Sequence, residues 1–295
     1  MLRNKAVVVT GSGSGIGREI ARAMAANGAR VVVNDVGRIE GKSAAESVVE
    51  EIRAAGGEAV ASEESVATQE TAVRIVQAAL DHFGRIDGIV NNAGIVRDRF
   101  FFNMSAEEWK AVLDVHLNGS FFVARAAAPH FKAQAGGAYV HMTSTSGLIG
   151  NLGQANYSAA KMGIVGLSKS IALDMAKFSV RSNCIAPWAW TAMTATIPDT
   201  PESRPRIEKM KKMEAAKIAP LAVYLLSDRA VGVSGQIFGV RANELYFFSQ
   251  IRMIRSVHRS EGWTPESIAE HAMPALESSF FPNVPSMTLT PWDPL

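Results

Sequence analysis

The chain has 295 residues, 47% of them hydrophobic, and a formal charge of +2 with both signs interspersed, which leaves no basic footprint for nucleic acid. A single cysteine excludes an intramolecular disulfide. No apolar run reaches the ~20 residues of a membrane span.

The chain goes straight into a strand after Lys5, with no apolar signal segment, so a soluble, cytoplasmic protein is expected. Ala6–Thr10 is a short apolar, β-branched run, the pattern of a parallel strand buried on both faces. It feeds Gly11-Ser12-Gly13-Ser14-Gly15-Ile16-Gly17 and then an amphipathic helix over 18–27, stopped by Gly28. Glycines between a strand and a helix allow a tight turn and bring the backbone to a pyrophosphate at the positive end of the helix. Gly11, Ser14, Gly15, Ile16 and Gly17 are therefore assigned to a dinucleotide. A second strand, 30–35, ends in Asp35, about twenty residues past the glycines, where a carboxylate accepts bonds from the adenosine ribose. The same charge repels a 2′-phosphate, so NAD is expected over NADP. Arg38 nearby either softens this or is a solvated loop charge.

Helix 43–55, ended by Gly56-Gly57, strand Glu58–Ser62, helix 71–83 and strand 86–90 follow. Ser105-Ala106-Glu107-Glu108 has the spacing of a capping box and opens a helical stretch, 105–131. Strand 138–142, a helix and strand 179–185 come next; Cys184, in an apolar run, reads as a small buried hydrophobe. The Pro/Ser/Thr-rich run 198–205 suggests a mobile lid. Lys209, Lys211, Lys212 and Lys217 are a solvated face or a contact for substrate phosphates. Helix 215–226 and strand 236–240 close the pattern. Seven strand-like runs alternating with helices imply a doubly wound, Rossmann-type α/β fold with a seven-stranded parallel sheet, one domain over 1–240. Residues 241–295 are an extension in which Thr264-Pro265 starts a helix. Its Trp263, Phe280, Phe281 and Trp292 are too apolar to leave in water together, so it is expected to pack on the core or on a twin subunit.

Tyr157 and Lys161 are four apart and share a helix face. A phenol titrates near ~10, and a nearby ammonium favours the phenolate, so Lys161 is expected to lower the Tyr157 pKa for proton transfer. A solvated Tyr/Lys pair alone adds only ~0.2–0.5 kcal/mol to a helix. Ser144, thirteen residues before the tyrosine at the end of a strand, can hold a substrate oxygen and makes this a site for an alcohol/ketone couple.

This serine, tyrosine and lysine, with Thr-Gly-x-x-x-Gly-x-Gly at 10–17, resemble the short-chain dehydrogenase/reductase family. The resemblance covers residues 5–240. Val33-Asn34-Asp35-Val36-Gly37, Arg97-Asp98-Arg99 and Gly150-Asn151-Leu152-Gly153-Gln154-Ala155-Asn156-Tyr157 are similar to the (3R)-hydroxyacyl-CoA dehydrogenase portion of peroxisomal multifunctional enzymes and their free-standing bacterial relatives. That portion is also described as a 17β-hydroxysteroid dehydrogenase. The resemblance implies hydride transfer between NAD and a secondary alcohol or ketone. Tyr157 would move the hydroxyl proton, Ser144 would hold the oxygen, and Lys161 would bind the ribose. It implies that Asn92, Ala93 and Gly94 close over the cofactor, that Pro187 and Thr191 reach its nicotinamide end, and that Val66 meets the adenine, although Ser65 stands where relatives have Asp. His116 replaces the family's usual catalytic Asn; it either holds a water beside the lysine or is a packed histidine. Asn118, two residues on, should point elsewhere. Trp188, Trp190 and Met193 form a bulky apolar substrate wall or merely pack their loop. The substrate is a hydroxyacyl-CoA thioester or, on the other reading, a free alcohol or hydroxysteroid. A catalytically idle NAD-binding module would have no use for Ser144, Tyr157 and Lys161 together. By the same resemblance the protein is a homodimer or homotetramer.

Overall fold

The computed structural model describes residues 1–190, 200 and 204–294, with backbone only at 206 and 287. Eight strands form one sheet: β1 (Ala6–Thr10), β2 (Arg30–Asn34), β3 (Glu58–Ser62), β4 (Gly88–Asn91), β5 (Gly137–Met142), β6 (Val180–Trp188), β7 (Ile237–Arg241) and β8 (Glu244–Phe247). Their spatial order is β8-β7-β6-β5-β4-β1-β2-β3. The first seven strands in sequence pair in parallel, as expected. β8 is an addition: the chain turns at Ala242 and Asn243 and pairs antiparallel to β7, Leu245 opposite Val240. Its alternating half-buried and exposed residues mark an edge strand, a pattern too short to stand out in sequence.

Helices cover both faces. On one, α1 (Gly15–Ala26), α2 (Ala44–Ala54) and α9 (Ala219–Leu226) bury Ile20, Met24, Val48, Ile52 and Leu225 against Val7, Val31 and Val140. On the other, α3 (Gln69–Phe83) and α5 (Gly119–Ala133) enclose Val8, Ile75, Phe131 and Tyr139. α7 (Ala155–Asp174) packs Ile164 and Val165 against Cys184 and Ile237. Cys184 is buried and its thiol is pushed up to about 12 by burial, so it is inert as a nucleophile.

Two expected elements differ. The stretch 105–131 is not one helix: α4 (Ala106–Leu113), which carries the Ser105/Glu108 capping box, passes through a π-helical turn, Asp114–Asn118, into α5. A further helix, α8 (Arg204–Lys211), stands where the sequence showed only a lysine face. Most of the expected lid, 198–205, lies outside the described residues. In the extension, Thr264 accepts from Ser267 N–H at 3.2 Å and caps Pro265–Ser267, as expected. Among the described residues no helix is long and apolar enough to cross a membrane.

Candidate active site

In a doubly wound sheet, ligands bind outside the carboxyl ends of the strands where the strand order reverses. Here that point lies between β1 and β4. A cavity of ≈ 390 Å³ opens there, lined by Gly11, Ser14, Gly15, Ile16, Gly17, Asp35, Val66, Asn92, Ala93 and Gly94, together with Asn34, Gly37, Ile95 and Val115. Ten residues separated widely in the chain thus share one cleft, as their assignment to a dinucleotide requires.

The cleft's walls are set by bonds from side chains to the backbone. Thr10 Oγ1 accepts from the N–H groups of Asn92 at 3.0 Å and Ala93 at 3.1 Å, while Asn92 Nδ2 donates to the carbonyls of Thr10 at 3.0 Å and Gly11 at 2.8 Å. Gly17 approaches this turn so closely that a Cβ would lie 2.1 Å from Gly11 O. Ser14 caps α1 in extended backbone with no side-chain cap bond, so its hydroxyl and the first amides of the helix are left to bind an anion. The Asp35 carboxylate is oriented by Gly13 N–H at 2.8 Å and Gly37 N–H at 2.7 Å. Each oxygen keeps a lone pair for a ribose hydroxyl. These residues fit a dinucleotide, which when bound supplies the hydride acceptor or donor. Arg38 is turned to Glu63 at 3.3 Å and Gly41 O at 3.1 Å, the solvated loop charge of the two readings.

Ser144, Tyr157 and Lys161 meet beside this cleft, at the end of β5. Ser144 caps the one-turn helix α6 (Thr145–Leu148), its Oγ accepting from Ser146 N–H at 3.1 Å, and the same side chain acts to lower the pKa of the Tyr157 phenol. The strand end clamps α7: Thr143 Oγ1 donates to Lys161 O at 2.7 Å, and Lys161 Nζ donates to Met142 O at 2.6 Å. Lys161 is buried, with its ammonium 5.5 Å from the centroid of the Tyr157 ring. Gly147 makes this approach possible, because a Cβ there would be 2.7 Å from Lys161 Cβ.

The electrostatics correct one expectation. Tyr157 is not lowered but pushed up to about 12, chiefly by burial, with Ser144 pulling back and the Asp98 carboxylate adding to the rise. Lys161 is brought down to about 7, again by burial. An amine that loses its charge near 7 no longer exerts an attraction where the phenol ionises, so proximity alone does not give the expected effect. By charge alone, a proton kept on Lys161 favours the phenolate, and a neutral Lys161 leaves the phenol a firm proton donor.

His116 sits in the π-helical turn with 2% of its surface exposed. Its ring meets Tyr157 edge-on at 5.1 Å and 89°, and fills the space over Gly94, where a Cβ would be 2.2 Å from Cε1. Nε2 lies 2.8 Å from Ile95 O and 3.0 Å from Ile95 N, one of which is its partner in a given tautomer. Burial, then Lys161, hold the ring neutral at about 3. The histidine is packed, yet its buried Nδ1 has no partner among the described residues, which is the atom a water beside the lysine would use. Asn118 does point elsewhere, its amide donating to Asp114 Oδ1 at 3.0 Å.

A second buried histidine, His141, was not singled out in the sequence. It is fully buried on β5, opposite Asn91, whose Nδ2 lies 3.1 Å from His141 Nδ1 and also donates to Ser120 O at 3.1 Å. An amide N–H can only donate, so His141 carries its proton on Nε2. Nothing in its sequence position distinguishes it from an ordinary strand residue. Trp188 finds its ring partners in the extension, Tyr246 at 5.5 Å and Phe248 at 6.4 Å; it packs β6 against the hairpin strand. Trp190 donates its backbone N–H to Met213 O at 2.6 Å. Pro187, beside Val240 on β7, ends the same strand at the carboxyl edge. Thr191 and Met193 lie outside the described residues.

The family model described as "Enoyl-(Acyl carrier protein) reductase" matches residues 11–242. The chain is a member of the short-chain dehydrogenase/reductase family. It is 47% identical over 232 residues to a short-chain type dehydrogenase/reductase of Mycobacterium tuberculosis, covering 77% of this chain and 79% of that one. It is 42% identical over 274 residues to mouse peroxisomal multifunctional enzyme type 2, covering 90% of this chain but only 36% of that protein. The hydroxyacyl-CoA dehydrogenase ChsB1 of Mycobacterium tuberculosis is 39% identical over 282 residues, 90% and 87% of the two chains. A crystal structure of a short-chain dehydrogenase from Mycobacterium avium superposes with a TM-score of 0.86 at 40% identity, covering 96% and 98%. Oxidoreductase chemistry thus belongs to the family; the cofactor's identity and the substrate are separate questions.

Proposed function

We propose that this oxidoreductase interconverts a secondary alcohol and a ketone with NAD, on a substrate carrying a bulky apolar group, most simply a 3-hydroxyacyl-CoA thioester. The observation that carries the reading is the convergence of Ser144, Tyr157 and Lys161 at the end of β5, beside the glycine-lined cleft. Ser144 holds the substrate oxygen, Tyr157 gives or takes its proton, and Lys161 sets the charge beside the phenol and meets the cofactor ribose. His116 backs the tyrosine ring, and its Nδ1 can hold a water next to the lysine.

Asp35, held by two glycine amides, supports NAD over NADP, because a 2′-phosphate would meet a fixed carboxylate. The CoA part rests on similarity to proteins that are named hydroxyacyl-CoA dehydrogenase or multifunctional enzyme. The pairing of Lys209 with Asp293 and of Lys211 with Glu208 weakens the role of those lysines as phosphate partners. Free alcohols or hydroxysteroids are the second reading, favoured by that same pairing. The protein works in the cytoplasm as a homodimer or homotetramer; the exposed Ile251, Met253 and Ile254 of the extension support association, and light scattering tests it. A turnover screen with NAD and NADP across CoA thioesters, steroids and aryl alcohols tests the rest. Faster turnover with NADP would overturn the cofactor assignment, and turnover of free alcohols without any thioester would overturn the CoA assignment.

A further inference from the structure

Arg97-Asp98-Arg99 carries three charges in a row, and the proton chemistry at Tyr157 makes no use of them. The segment that holds them leaves β4 and is tied along its length to the surroundings of Tyr157. At its start, Ile95 is bonded to His116, whose ring meets Tyr157 edge-on. Further on, Asn156 Nδ2 donates to Arg97 O at 3.0 Å, and Arg99 N–H donates to Gly153 O at 2.8 Å. Asp98 lies between those two bonds, across from residues 153–156 and so beside the start of α7.

Its side chain reaches the same turn. Asp98 Oδ2 accepts from Gln154 Nε2 at 2.9 Å. Gln154 precedes Tyr157 by three residues, a spacing that makes side chains neighbours on one helix face. The Gln154 carboxamide is fixed from its other end as well, its Oε1 accepting from Asn151 Nδ2 at 3.2 Å. A neutral amide donor holds the carboxylate in place and leaves its charge intact.

The two adjoining arginines spend their guanidinium groups elsewhere. Arg97 Nη1 donates to Val96 O at 2.8 Å, and Arg99 Nη2 pairs with Glu108 Oε1 at 3.0 Å. Among the described residues neither guanidinium pairs with Asp98. Of the three charges it is the carboxylate that acts on the Tyr157 phenol, adding to its rise. Lys161, the buried cation beside that phenol, is itself brought down to about 7 and offsets little of this charge at higher pH. An alcohol seated on Ser144 and Tyr157 thus has its carbinol carbon close to a fixed, uncompensated negative charge. We propose that Asp98 is a specificity-determining residue, whose charge excludes a free carboxylate next to the reacting carbon and admits a neutral ester or thioester there. This rests on the alcohol/ketone reading above and narrows its substrate to alcohols that are uncharged near the carbinol. Like charges about 6 Å apart change an equilibrium by roughly threefold in water and a hundredfold near a protein surface.

The test compares two forms of one secondary alcohol, a methyl ester and its free acid, with the carboxyl carbon two carbons from the carbinol. Wild type should favour the ester at least about tenfold in kcat/KM at low salt. Asp98→Asn keeps an acceptor for Gln154 and should bring that preference within about threefold, through a lower KM for the acid. Asp98→Glu keeps the charge and should keep most of the preference. Raising the salt from about 0.01 to 0.5 M should shrink the wild-type preference and leave that of Asp98→Asn unchanged. A folded Asp98→Asn protein with the full wild-type preference overturns the role of Asp98. Should that variant fail to fold, the salt series on wild type decides, and a preference that does not fall with salt overturns it. A wild type that oxidises no secondary alcohol overturns the reaction assignment itself. One that oxidises ester and acid equally well, or other alcohols but no such ester, overturns the role of Asp98 alone.

Discussion

On the cofactor side, residues from the ends of β1, β2 and β4 hold one another through backbone-centred bonds. Thr10 and Asn92 staple the glycine turn, Asp35 is fixed by Gly13 and Gly37, and Gly17 leaves no room for a single methyl. At the other end of the sheet, β6, β7 and the chain end are joined by side chains distant in sequence: Trp188 with Phe248, the Arg241 guanidinium with the Trp292 ring, Lys209 with Asp293. Backbone contacts tolerate few residue types, so the first region carries a recognisable motif. Side-chain contacts can be made by many combinations, which leaves the second without a recognisable motif.

The largest expected effect falls where the two regions meet. Tyr157→Phe removes one hydroxyl and should reduce turnover roughly 10²–10⁴-fold while folding and NAD affinity survive. Near wild-type turnover in steady-state assays would show that the proton moves elsewhere.

Lys161 separates stability from catalysis. Its pKa falls from 10.5 to about 7 on folding, so between those values the unfolded chain binds the extra proton. Stability should therefore rise as pH climbs from about 7 to 10.5, and the penalty is fully present below 7. The shift corresponds to an upper bound of about 5 kcal/mol. Lys161→Met should flatten that slope and stabilise the protein at neutral pH by ~2–3 kcal/mol, once the loss of a donor to Met142 O is set against it, although it abolishes the proposed proton site. Denaturant melts from pH 6 to 10.5 measure this; an unchanged slope would refute the buried-amine account.

A pair of glycines sharpens the comparison. Gly17→Ala should destabilise by about 1–3 kcal/mol and weaken NAD binding, since the new Cβ meets Gly11 O at 2.1 Å. Gly166→Ala, in α7 with nothing within 4 Å, should stabilise by roughly 0.5–1 kcal/mol and leave turnover alone. Calorimetry and NAD titration of both read the difference directly. Asp35→Ala should cost about 1 kcal/mol in NAD affinity through lost ribose bonds, with a narrower gap to NADP. A gap that stays as wide would assign the discrimination to other residues.

The strand and helix run from Ala6 to Ala26, the capping residues Ser105 and Thr264, and the spacing of Ser144, Tyr157 and Lys161 were legible because local rules govern them: periodicity, capping chemistry, glycine conformation. Gly147 was not, since an unremarkable glycine becomes essential only when α7 approaches within van der Waals contact. Nor was the π-helical turn at 114–118, whose residues read as plain helix. β8 is four residues long and gains its role only by pairing with β7.

By itself the sequence determined the parallel α/β architecture, the glycine turn and the chemical types present at the site, because each follows from neighbours within a few residues. Only the tertiary structure decided that Tyr157 is raised and Lys161 lowered, because burial depends on what the whole fold places around a group. It also decided that the chain end reaches Gly150, Arg241 and Lys209. Contacts across such separations are fixed by how the sheet brings its carboxyl edge together, and no local pattern encodes them.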